Sequence, residues 1–315
     1  MALTVLKPGL QTTLQSRARR GLRHLGVPAS GAADPLSMAL ANRLLGNAWD
    51  DVVLEATLLG PTLRFDAACD FALTGAVTMA TLNGERIEQH RSMRAAKGDE
   101  LSVGAASSGA RAYIAFAGGL RGDAALGSVS TYLVAGFGGH QGRALRKGDV
   151  LETVETQSPP TAQTTPAEFR PPMSSSYALR ATAAAETDQL RDAGARLFAQ
   201  NWQVGERADR MGLQLAGDSL SVSSAGRMPS AAVFPGTVQC PENGAPFLLS
   251  VDAGTVGGYP RVAQVSRADR HLVGQLKPRD RLRFLQRAPD DALTELEAKL
   301  DYWRAWLPDV NEILI

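Results

Sequence analysis

Short apolar runs separated by turn-forming residues fill most of the first half of the chain. They include "TLRFDAACDFALTG", "MATLNGERIE", "DELSVGA" and "ARAYIAFAGG", with Gly, Asn or Asp between them. This spacing is typical of a mostly antiparallel sheet or barrel. Asn83-Gly84 lies between two strand-like runs and suits a two-residue turn with positive φ, so we expect a β-hairpin there.

The same pattern returns in the second half, in "RMGLQLAGD", "PFLLSVDAG", "RVAQVS" and "RDRLRFLQ". The segment between the halves, "ETVETQSPPTAQTTPAEFRPPMSSS", is rich in Thr, Pro and Ser and indicates a linker or long crossover. The predicted organisation is therefore a β unit at 1–155, a linker at 156–176, a second β unit at 177–288 and a helical tail at 289–315. "LRKGDVLE" and "LKPRDRLRF" occupy similar places near the end of each unit, which suggests two related units or a chance match.

Two segments have helical patterns. In the first, Asp34 caps the N-terminus, Pro35 occupies the first turn, Gly46-Asn47 ends the helix, and three leucines share one buried face: Leu36, Leu40 and Leu44. The second is "DDALTELEAKLDYWRAWL" from residue 290. Its apolar side chains recur at helical spacing and predict a packing helix: Leu293, Leu296, Leu300 and Trp303.

Length and composition predict an ordinary globular protein. At 315 residues the chain exceeds the usual single-domain length of about 100 to 200, so two compact units are expected. The 33 basic and 32 acidic residues leave a net charge of +1, which gives no reason to expect nucleic acid or anionic lipid as a partner. No apolar run of about 18 residues predicts a membrane span. Cys69 and Cys240 are far apart, and the first residues lack a signal-peptide pattern, so we expect a reducing cytoplasm.

The familiar motifs of enzymes are missing from the sequence. The four histidines have no metal-ligand spacing, so no metal site is predicted. There is no G-x-S-x-G elbow, Walker loop or dinucleotide fingerprint. "GFGGHQGR" at 136–143 favours a tight turn between strands, with Arg143 left open as an anion ligand.

Several polar residues have both a structural and a functional interpretation. Of the basic run Arg17, Arg19, Arg20 and Arg23, we expect a solvated face for all but Arg19, which stays open. His24 is either a general base or a structural histidine.

Two further positions have the same two interpretations. Asn42 lies in mid-helix, where Asn has poor propensity, which indicates a side-chain partner or a ligand. "DAGTVGGYPRVAQV" at 252–265 fits either a close-approach loop for a ligand or a corner with Tyr259 packed beneath it.

Six fragments together resemble the KipA-like, biotin-dependent carboxyltransferase family, in consistent order from about residue 4 to residue 286. They are "HLGVPASGAADPLSMALANRLLGN", "LEATLLGPTLRF", "LGSVSTYLVAGFGGHQGRALRKGD", "DRMGLQL", "GTVQCPENGAPFLLSVDAGTVGGYP" and "GQLKPRDRLRF". The resemblance implies a mainly β protein of two β-barrel-like units with a cyclophilin-like fold and a few short helices. It also implies a KipI-like partner.

The resemblance further implies chemistry on an amide carbonyl beside nitrogen. Stand-alone bacterial members include the C subunit of the ATP-dependent 5-oxoprolinase, which opens the lactam of 5-oxoproline to glutamate with KipI-like and LamB/YcsF-like subunits. Fused relatives form the carboxyltransferase half of urea carboxylase and use carboxybiotin.

By the same resemblance, eight positions line a cleft shared with the partner. Asp252, Asn42 and His24 are expected to be catalytic, with Asp252 and Asn42 orienting the substrate. The expected substrate-binding residues are Ser30, Asp34, Arg210, Gln239 and Tyr259, with Arg210 placed to bind an anionic group such as a carboxylate.

The chain departs from the family pattern at three places. In "QSRARRG", Ser16 and Ala18 replace the usual Asp and Gly. "DAGTVGGYP" has Ala253, Gly254 and Val256 where a Gln-Thr-Thr run is common. In "KPRD", Arg279 replaces the usual Gly.

The leading hypothesis is a hydrolase subunit of a 5-oxoprolinase, active only in complex. One alternative is a carboxyltransferase component acting with a separate biotinylated carrier on urea or a related amide, because the chain has no "MKM" attachment site. Another is a non-catalytic regulator that binds a KipI-like kinase inhibitor. ATP is assigned to a partner or to the shared interface, because no nucleotide motif is present.

Overall fold

The computed structural model describes residues 1–155, 163–192, 194–223 and 228–314, which divide into two compact units. Unit 1 contains Met1–Arg19, Ser30–Met173 and Trp303–Ile313, and unit 2 consists mainly of Arg20–Ala29 and Ser174–Tyr302. The first part of the predicted linker, residues 156–162, lies outside the described residues. Residues 163–173 of the predicted linker belong to unit 1.

The Pro-rich segment after residue 162 is held to unit 1 by backbone and aromatic contacts. The Ser92 amide donates to the Gln163 carbonyl oxygen, and the Thr165 amide donates to that of His90, each at 2.9 Å. The Phe169 ring lies 5.5 Å from that of Trp303 between centroids. This part of the predicted linker is therefore packed structure.

The described residues of unit 1 form a nine-stranded antiparallel sheet. Its order is β2-β3-β8-β4-β1-β9, and β5 pairs with β6, β7 and β8. The strands are β1 (Ala2–Lys7), β2 (Gln11–Gln15), β3 (Val53–Thr57), β4 (Thr62–Phe65), β5 (Cys69–Leu82), β6 (Glu85–Arg86), β7 (Ser92–Ala95), β8 (Glu100–Phe116) and β9 (Val150–Glu152).

The predicted hairpin at Asn83-Gly84 is confirmed. The two residues have φ values of 54° and 84° and connect β5 to β6, with Leu82 paired to Glu85. Positive φ at both central residues is the geometry that the Asn-Gly dipeptide favours.

The described residues of unit 2 contain a closed seven-stranded barrel in the order β10-β17-β14-β15-β12-β11-β18. The parallel pairing of β18 with β10 closes it, and the other pairings are antiparallel. The barrel strands are β10 (Ser176–Ala183), β11 (Trp202–Ala208), β12 (Gly212–Ala216), β14 (Thr237–Gln239), β15 (Phe247–Leu249), β17 (Arg261–Val265) and β18 (Arg281–Gln286). A separate ribbon pairs β13 (Ala231–Ala232) with β16 (Val256–Gly257).

Each unit has its own apolar core, because alternate strand residues point inward. The core of unit 1 includes Leu3, Leu54, Phe65, Phe71 and Phe116. That of unit 2 includes Leu179, Trp202, Val238, Val262 and Phe284. The prediction of a mainly β protein with two β units is therefore confirmed.

The helices are few and short: α1 (Pro35–Arg43), α2 (Ala195–Ala199), α3 (Pro289–Arg304) and α4 (Val310–Leu314). The predicted cap is confirmed, since Asp34 precedes α1 and its carboxylate accepts from the Ser37 amide at 3.0 Å. In α3, Leu296, Leu300 and Trp303 are buried as predicted. The prediction for Leu293 was wrong, because this side chain is 55% exposed. None of the described helices is both long enough and apolar enough to cross a bilayer.

Candidate functional site

Three loops of unit 2 come together with the segment around Arg23, and we call this set the loop cluster: residues 23–25, 209–212, 231–240 and 250–260. The β13–β16 ribbon joins two of the loops. The Val233 amide reinforces that link by donating to the Thr255 carbonyl oxygen at 3.1 Å. The cluster contains five of the eight predicted site residues, which are His24, Arg210, Gln239, Asp252 and Tyr259.

Arg210 and Asp252 form a closed, bidentate ion pair at the base of the cluster. Arg210 Nε donates to Asp252 Oδ2 at 2.7 Å, and Nη2 donates to Oδ1 at 3.0 Å. The side chains are only 4% and 3% exposed, and the Asp252 amide also donates to the Arg210 carbonyl oxygen at 2.8 Å. Charge-assisted pairs of this geometry are strong and directional. Arg210 therefore positions the loop that carries Asp252, rather than presenting a free cation.

Gln239 ties β14 to the glycine-rich loop. Its Nε2 donates to the Tyr259 carbonyl oxygen at 3.1 Å. Gly257 packs so closely on this amide that a Cβ there would lie 2.4 Å from Nε2, so a larger residue would displace the Gln239 side chain. The sequence predicted that a group could approach the Gly257 backbone closely. In the structure that group is the Gln239 side chain. Tyr259 is 49% exposed, so the alternative in which it packs beneath the corner was wrong.

Arg23 belongs to the loop cluster, contrary to the prediction of a solvated side chain. Its Nη2 donates to the carbonyl oxygens of Val233 and, at 3.4 Å, Gly254. The guanidinium carbon lies 5.2 Å from the centre of the Phe234 ring, a cation–π distance. Burial lowers the pKa of Arg23. The neighbouring His24 is exposed. Sequence reasoning missed Arg23 because its carbonyl partners lie more than 200 residues away.

The other three predicted site residues lie in unit 1, where Asp34 is part of a buried network. Its amide donates to the Tyr113 hydroxyl at 2.7 Å, and that hydroxyl donates to Glu55 Oε2 at 2.8 Å. Glu55 also accepts from the Ala33 amide at 2.8 Å and pairs with Arg111, whose Nε is 3.5 Å from Oε1. Burial, followed by the charge of Glu55, raises the pKa of Tyr113 well above its usual value. The phenol therefore stays neutral and fixes the start of α1.

Asn42, which was expected to orient the substrate, is enclosed within unit 1, and that role stays a prediction. The side chain is fully buried, and its Nδ2 donates to the carbonyl oxygens of Trp49 at 3.1 Å and Asp51 at 2.9 Å. Its Oδ1 accepts from Asn47 Nδ2 at 3.0 Å. A mid-helix Asn indicated either a partner within the protein or a ligand, and the structure shows partners within the protein. These hydrogen bonds hold the loop that follows α1.

Ser30 is buried in unit 1 with φ at 51°, a left-handed conformation that is uncommon outside glycine. Its Oγ has no hydrogen-bond partner among the described residues. A role of Ser30 in substrate binding stays a prediction.

Arg19, which the sequence left open, faces inward. It is 2% exposed, donates to the carbonyl oxygens of Ala125 and Ser130, and lies over the Phe137 ring at 4.8 Å. Ser16, at the position of the missing family carboxylate, lies 3.3 Å from Ser128 between hydroxyl oxygens. These contacts hold the 125–137 loop.

The glycine-rich stretch 136–143 forms tight turns, with positive φ at four glycines: Gly136, Gly138, Gly139 and Gly142. Arg143 is paired in a bidentate manner with Asp149, at 2.7 and 2.8 Å. This hydrogen bonding lowers the pKa of Asp149 to about 2. The anion that Arg143 binds is thus a carboxylate of the same unit.

The described part of the chain was also compared with the ligand sets that bind metal ions. No group of three or more His, Cys, Asp or Glu side chains is placed there to hold a metal ion. Cys69 and Cys240 are free and buried, and burial raises the pKa of each thiol to about 11.

Comparison with protein families gives a match to "Carboxyltransferase domain, subdomain A and B" over residues 25–286. The chain belongs to this carboxyltransferase family. It is 32% identical to the C subunit of the Escherichia coli 5-oxoprolinase over 307 residues, which cover 96% of this chain and 98% of that protein. It is 30% identical to "Urea amidolyase" of Saccharomyces cerevisiae over 309 residues, covering 90% of this chain and 16% of that protein.

Among solved structures, the chain resembles the Kluyveromyces lactis urea amidolyase with a TM-score of 0.90 and 29% identity. The match covers 97% of this chain and 20% of that one, so the chain spans about a fifth of the larger protein. The fold described above is therefore that of a carboxyltransferase-family domain.

Proposed function

We propose that the chain is the C subunit of an ATP-dependent 5-oxoprolinase, which hydrolyses the lactam of 5-oxo-L-proline to L-glutamate together with KipI-like and LamB/YcsF-like subunits. The observation that carries this proposal is the alignment with the Escherichia coli protein, which covers nearly all of both chains. Urea amidolyase, by contrast, is matched over 16% of its length.

The loop cluster supports this proposal through its chemistry. A lactam offers one carbonyl acceptor and one N–H donor, and charge develops on its oxygen during hydrolysis, so fixed polar groups that match it lower the barrier. In the proposed site, the Gln239 amide and the half-exposed Tyr259 contact the lactam, and His24, the sequence neighbour of Arg23, is an exposed titratable group of the same loop cluster. Arg210 holds Asp252 in place and is a positioning residue in this proposal.

ATP is assigned in this proposal to a partner protein or to the interface with it, because the sequence contains no phosphate loop. The residues of this chain would bind and orient the lactam while activation takes place with the partners. Because the proposed reaction draws on ATP and depends on other subunits, we also propose a cytoplasmic location.

Reconstitution tests the proposal. The purified chain is mixed with its KipI-like and LamB/YcsF-like partners, and 5-oxoproline, glutamate and ADP are followed with and without ATP. We expect ATP-dependent conversion that requires this chain. Gln239→Ala should lower kcat/KM at least tenfold, whereas Gln203→Ala, an exposed amide on β11, should not change it. Absence of ATP-dependent conversion by the complete, folded set would contradict the proposal.

A carboxyltransferase activity is the second candidate, favoured by the TM-score of 0.90 to urea amidolyase. In this alternative the chain moves a carboxyl group from carboxybiotin on a separate carrier protein to urea or a related amide. Transfer of labelled carboxyl from such a carrier to urea, in the same reconstituted set without 5-oxoprolinase activity, would favour it. Binding of a KipI-like chain with neither activity would instead favour the regulatory alternative.

A further inference from the structure

A groove of about 250 Å³ lies in unit 2 between the barrel and α3, outside the loop cluster. Its apolar lining includes Val265 from β17 and Ala292, Leu293 and Leu296 from α3. Two arginines, Arg267 and Arg270, also line the groove, together with three uncharged polar residues: Thr182, Gln264 and Ser266. The groove thus combines an apolar wall with two positive charges.

Arg270 has no partner for its charge among the described residues. Its Nε is buried without a hydrogen bond, and the guanidinium makes no ion pair within the described part of the chain. The carboxylates of the adjacent Asp269 and of Glu295 on α3 are engaged elsewhere. Asp269 is bound by Arg180 at 2.5 and 2.8 Å, and Glu295 by Arg287 at 2.8 Å.

The surroundings of Arg270 disfavour its positive charge. Burial lowers the pKa of Arg270 to about 10, and repulsion from Arg267 adds to the effect. Arg270 is half-buried with its Nε enclosed and no acceptor among the described residues, and an anion that supplies two oxygens to a guanidinium offsets this loss of hydration. A ligand with a carboxylate would therefore gain more here than at an exposed arginine.

The apolar wall and the volume restrict the ligand further. A groove of this size admits a small molecule, and the leucines of α3 favour a short hydrocarbon chain beside the charged end. We propose that this groove is a binding site for a small aliphatic monocarboxylate, whose carboxylate pairs with Arg270, with Arg267 beside it, and whose chain packs on Leu293 and Leu296.

Titration with hexanoate tests the site directly, with binding followed by calorimetry at low salt. We expect millimolar or tighter binding to the full chain, weakened at least tenfold by Arg270→Met and about two- to fivefold by Arg267→Met. Hexanol and hexylammonium test whether binding needs the negative charge of the ligand. Sulfate tests whether binding needs its hydrocarbon chain. Equal binding of hexanol, equal binding of sulfate, or an unchanged affinity in Arg270→Met would each overturn the proposal.

A carboxylate supplied by the protein itself gives a second test. Leu293→Glu places an anion on the wall of the groove, and Leu293→Gln is the neutral control of the same shape. Leu293→Glu should raise Tm relative to Leu293→Gln and abolish hexanoate binding, and the Tm difference should vanish when Arg270→Met is added. No Tm difference between the two variants, with hexanoate binding retained in both, would overturn the assignment even if Arg270→Met failed to fold.

Discussion

Each unit buries an arginine–carboxylate pair, and the two pairs differ in what surrounds them. In unit 1, Arg111 and Glu55 have side chains that are 4% and 0% exposed, and Glu55 also accepts from the Ala33 amide and the Tyr113 hydroxyl. In unit 2, Arg210 and Asp252 are equally buried, but the carboxylate is bound by two guanidinium nitrogens of a single partner.

The difference separates a scaffold from a site. Glu55 connects β3, β8 and the start of α1, so its charge is part of the fold of unit 1. Asp252 connects the loop 209–212 to the loop 250–260, which also carries the exposed Tyr259. Burial of an ion pair by itself does not indicate a functional site. Whether the pair connects core strands or exposed loops is a better guide to its role.

The largest effect is expected for Glu55→Gln in unit 1. The change removes the negative charge that lies 3.5 Å from the buried Arg111 Nε, and breaking a buried ion pair typically costs about 3 to 5 kcal/mol. We expect a loss of about 4 kcal/mol in the free energy of unfolding, measured by urea denaturation. Arg111→Met/Glu55→Leu removes both charges but still leaves the Ala33 amide and Tyr113 hydroxyl unpaired, so it should recover little stability. Near wild-type stability of the double variant would show that the network is dispensable.

A somewhat smaller loss, about 3 kcal/mol, is expected for Asp252→Asn in unit 2. Arg210→Met/Asp252→Leu should regain part of this stability, because the described residues include no side chain besides Arg210 that donates to this carboxylate. In the reconstitution that tests the proposed function, both variants should lose kcat/KM at least tenfold, since the loop is misplaced in each. Full activity in the stable double variant would assign this pair to the scaffold as well.

Much of the local structure follows from sequence, because it depends on neighbours in the chain. The Asp34 cap and the Asn83-Gly84 turn are properties of a few consecutive residues, and both were predicted correctly. Asn42 was different, because helix propensity indicates that a partner exists without indicating which atoms supply it. Its partners proved to be carbonyl groups seven and nine residues further on.

Contacts that depend on the tertiary fold left no local signal. Glu55 and Tyr113 are 58 positions apart, and each lies in an apolar run that predicts only a strand. Arg23 meets the Val233 carbonyl across 210 positions. The resemblance to a family supplied Arg210, Gln239, Asp252 and Tyr259, but the pairing of Arg210 with Asp252 came from the structure.

A pH-dependent loss of stability is expected in both units, from one buried histidine in each. Burial lowers the pKa of His90 in unit 1 to about 4, and that of His271 in unit 2 well below its usual value. Because both histidines are neutral when folded, the unfolded chain binds more protons below about pH 6.5, and stability falls as the pH falls. At pH 5 His90 contributes a loss of roughly 2 kcal/mol, and His271 adds a loss in the same direction.

The variant His90→Asn tests the contribution from unit 1, because Asn tolerates the positive φ of 62° at this position. The slope of unfolding free energy against pH between 6.5 and 5 should become less steep, since only the contribution of His271 remains. An unchanged slope would show that His90 is not protonated on unfolding in this range. A slope that disappears would assign the whole effect to unit 1.

The smallest effect concerns the turns that precede the last strand of each unit's sheet. The Asp149 amide donates to the Arg146 carbonyl oxygen at 3.2 Å, and the Asp280 amide donates to that of Lys277 at 3.1 Å. In both turns the aspartate carboxylate accepts from the amide three residues earlier, at 2.7 and 3.1 Å. The third position has φ at 91° in Gly148 and 75° in Arg279. The similar segments "LRKGDVLE" and "LKPRDRLRF" thus form the same type of turn in the two units. In unit 2 the third position is the non-glycine Arg279, which is strained at positive φ.

Arg279→Gly should therefore stabilise unit 2 by about 0.5 to 1 kcal/mol, because relief of the left-handed strain exceeds the extra entropy of glycine in the unfolded chain. Arg279→Ala is the matched control. It also removes the ion pair with Glu206, which is highly exposed and contributes little, but it keeps a Cβ at positive φ. Gly148→Ala should destabilise unit 1 by a similar amount, since a Cβ there meets no other atom within 4 Å and only strain is added. Unfolding free energies of the three variants decide the matter: if Arg279→Ala proves as stable as Arg279→Gly, the two turns do not share the strain that their φ values imply.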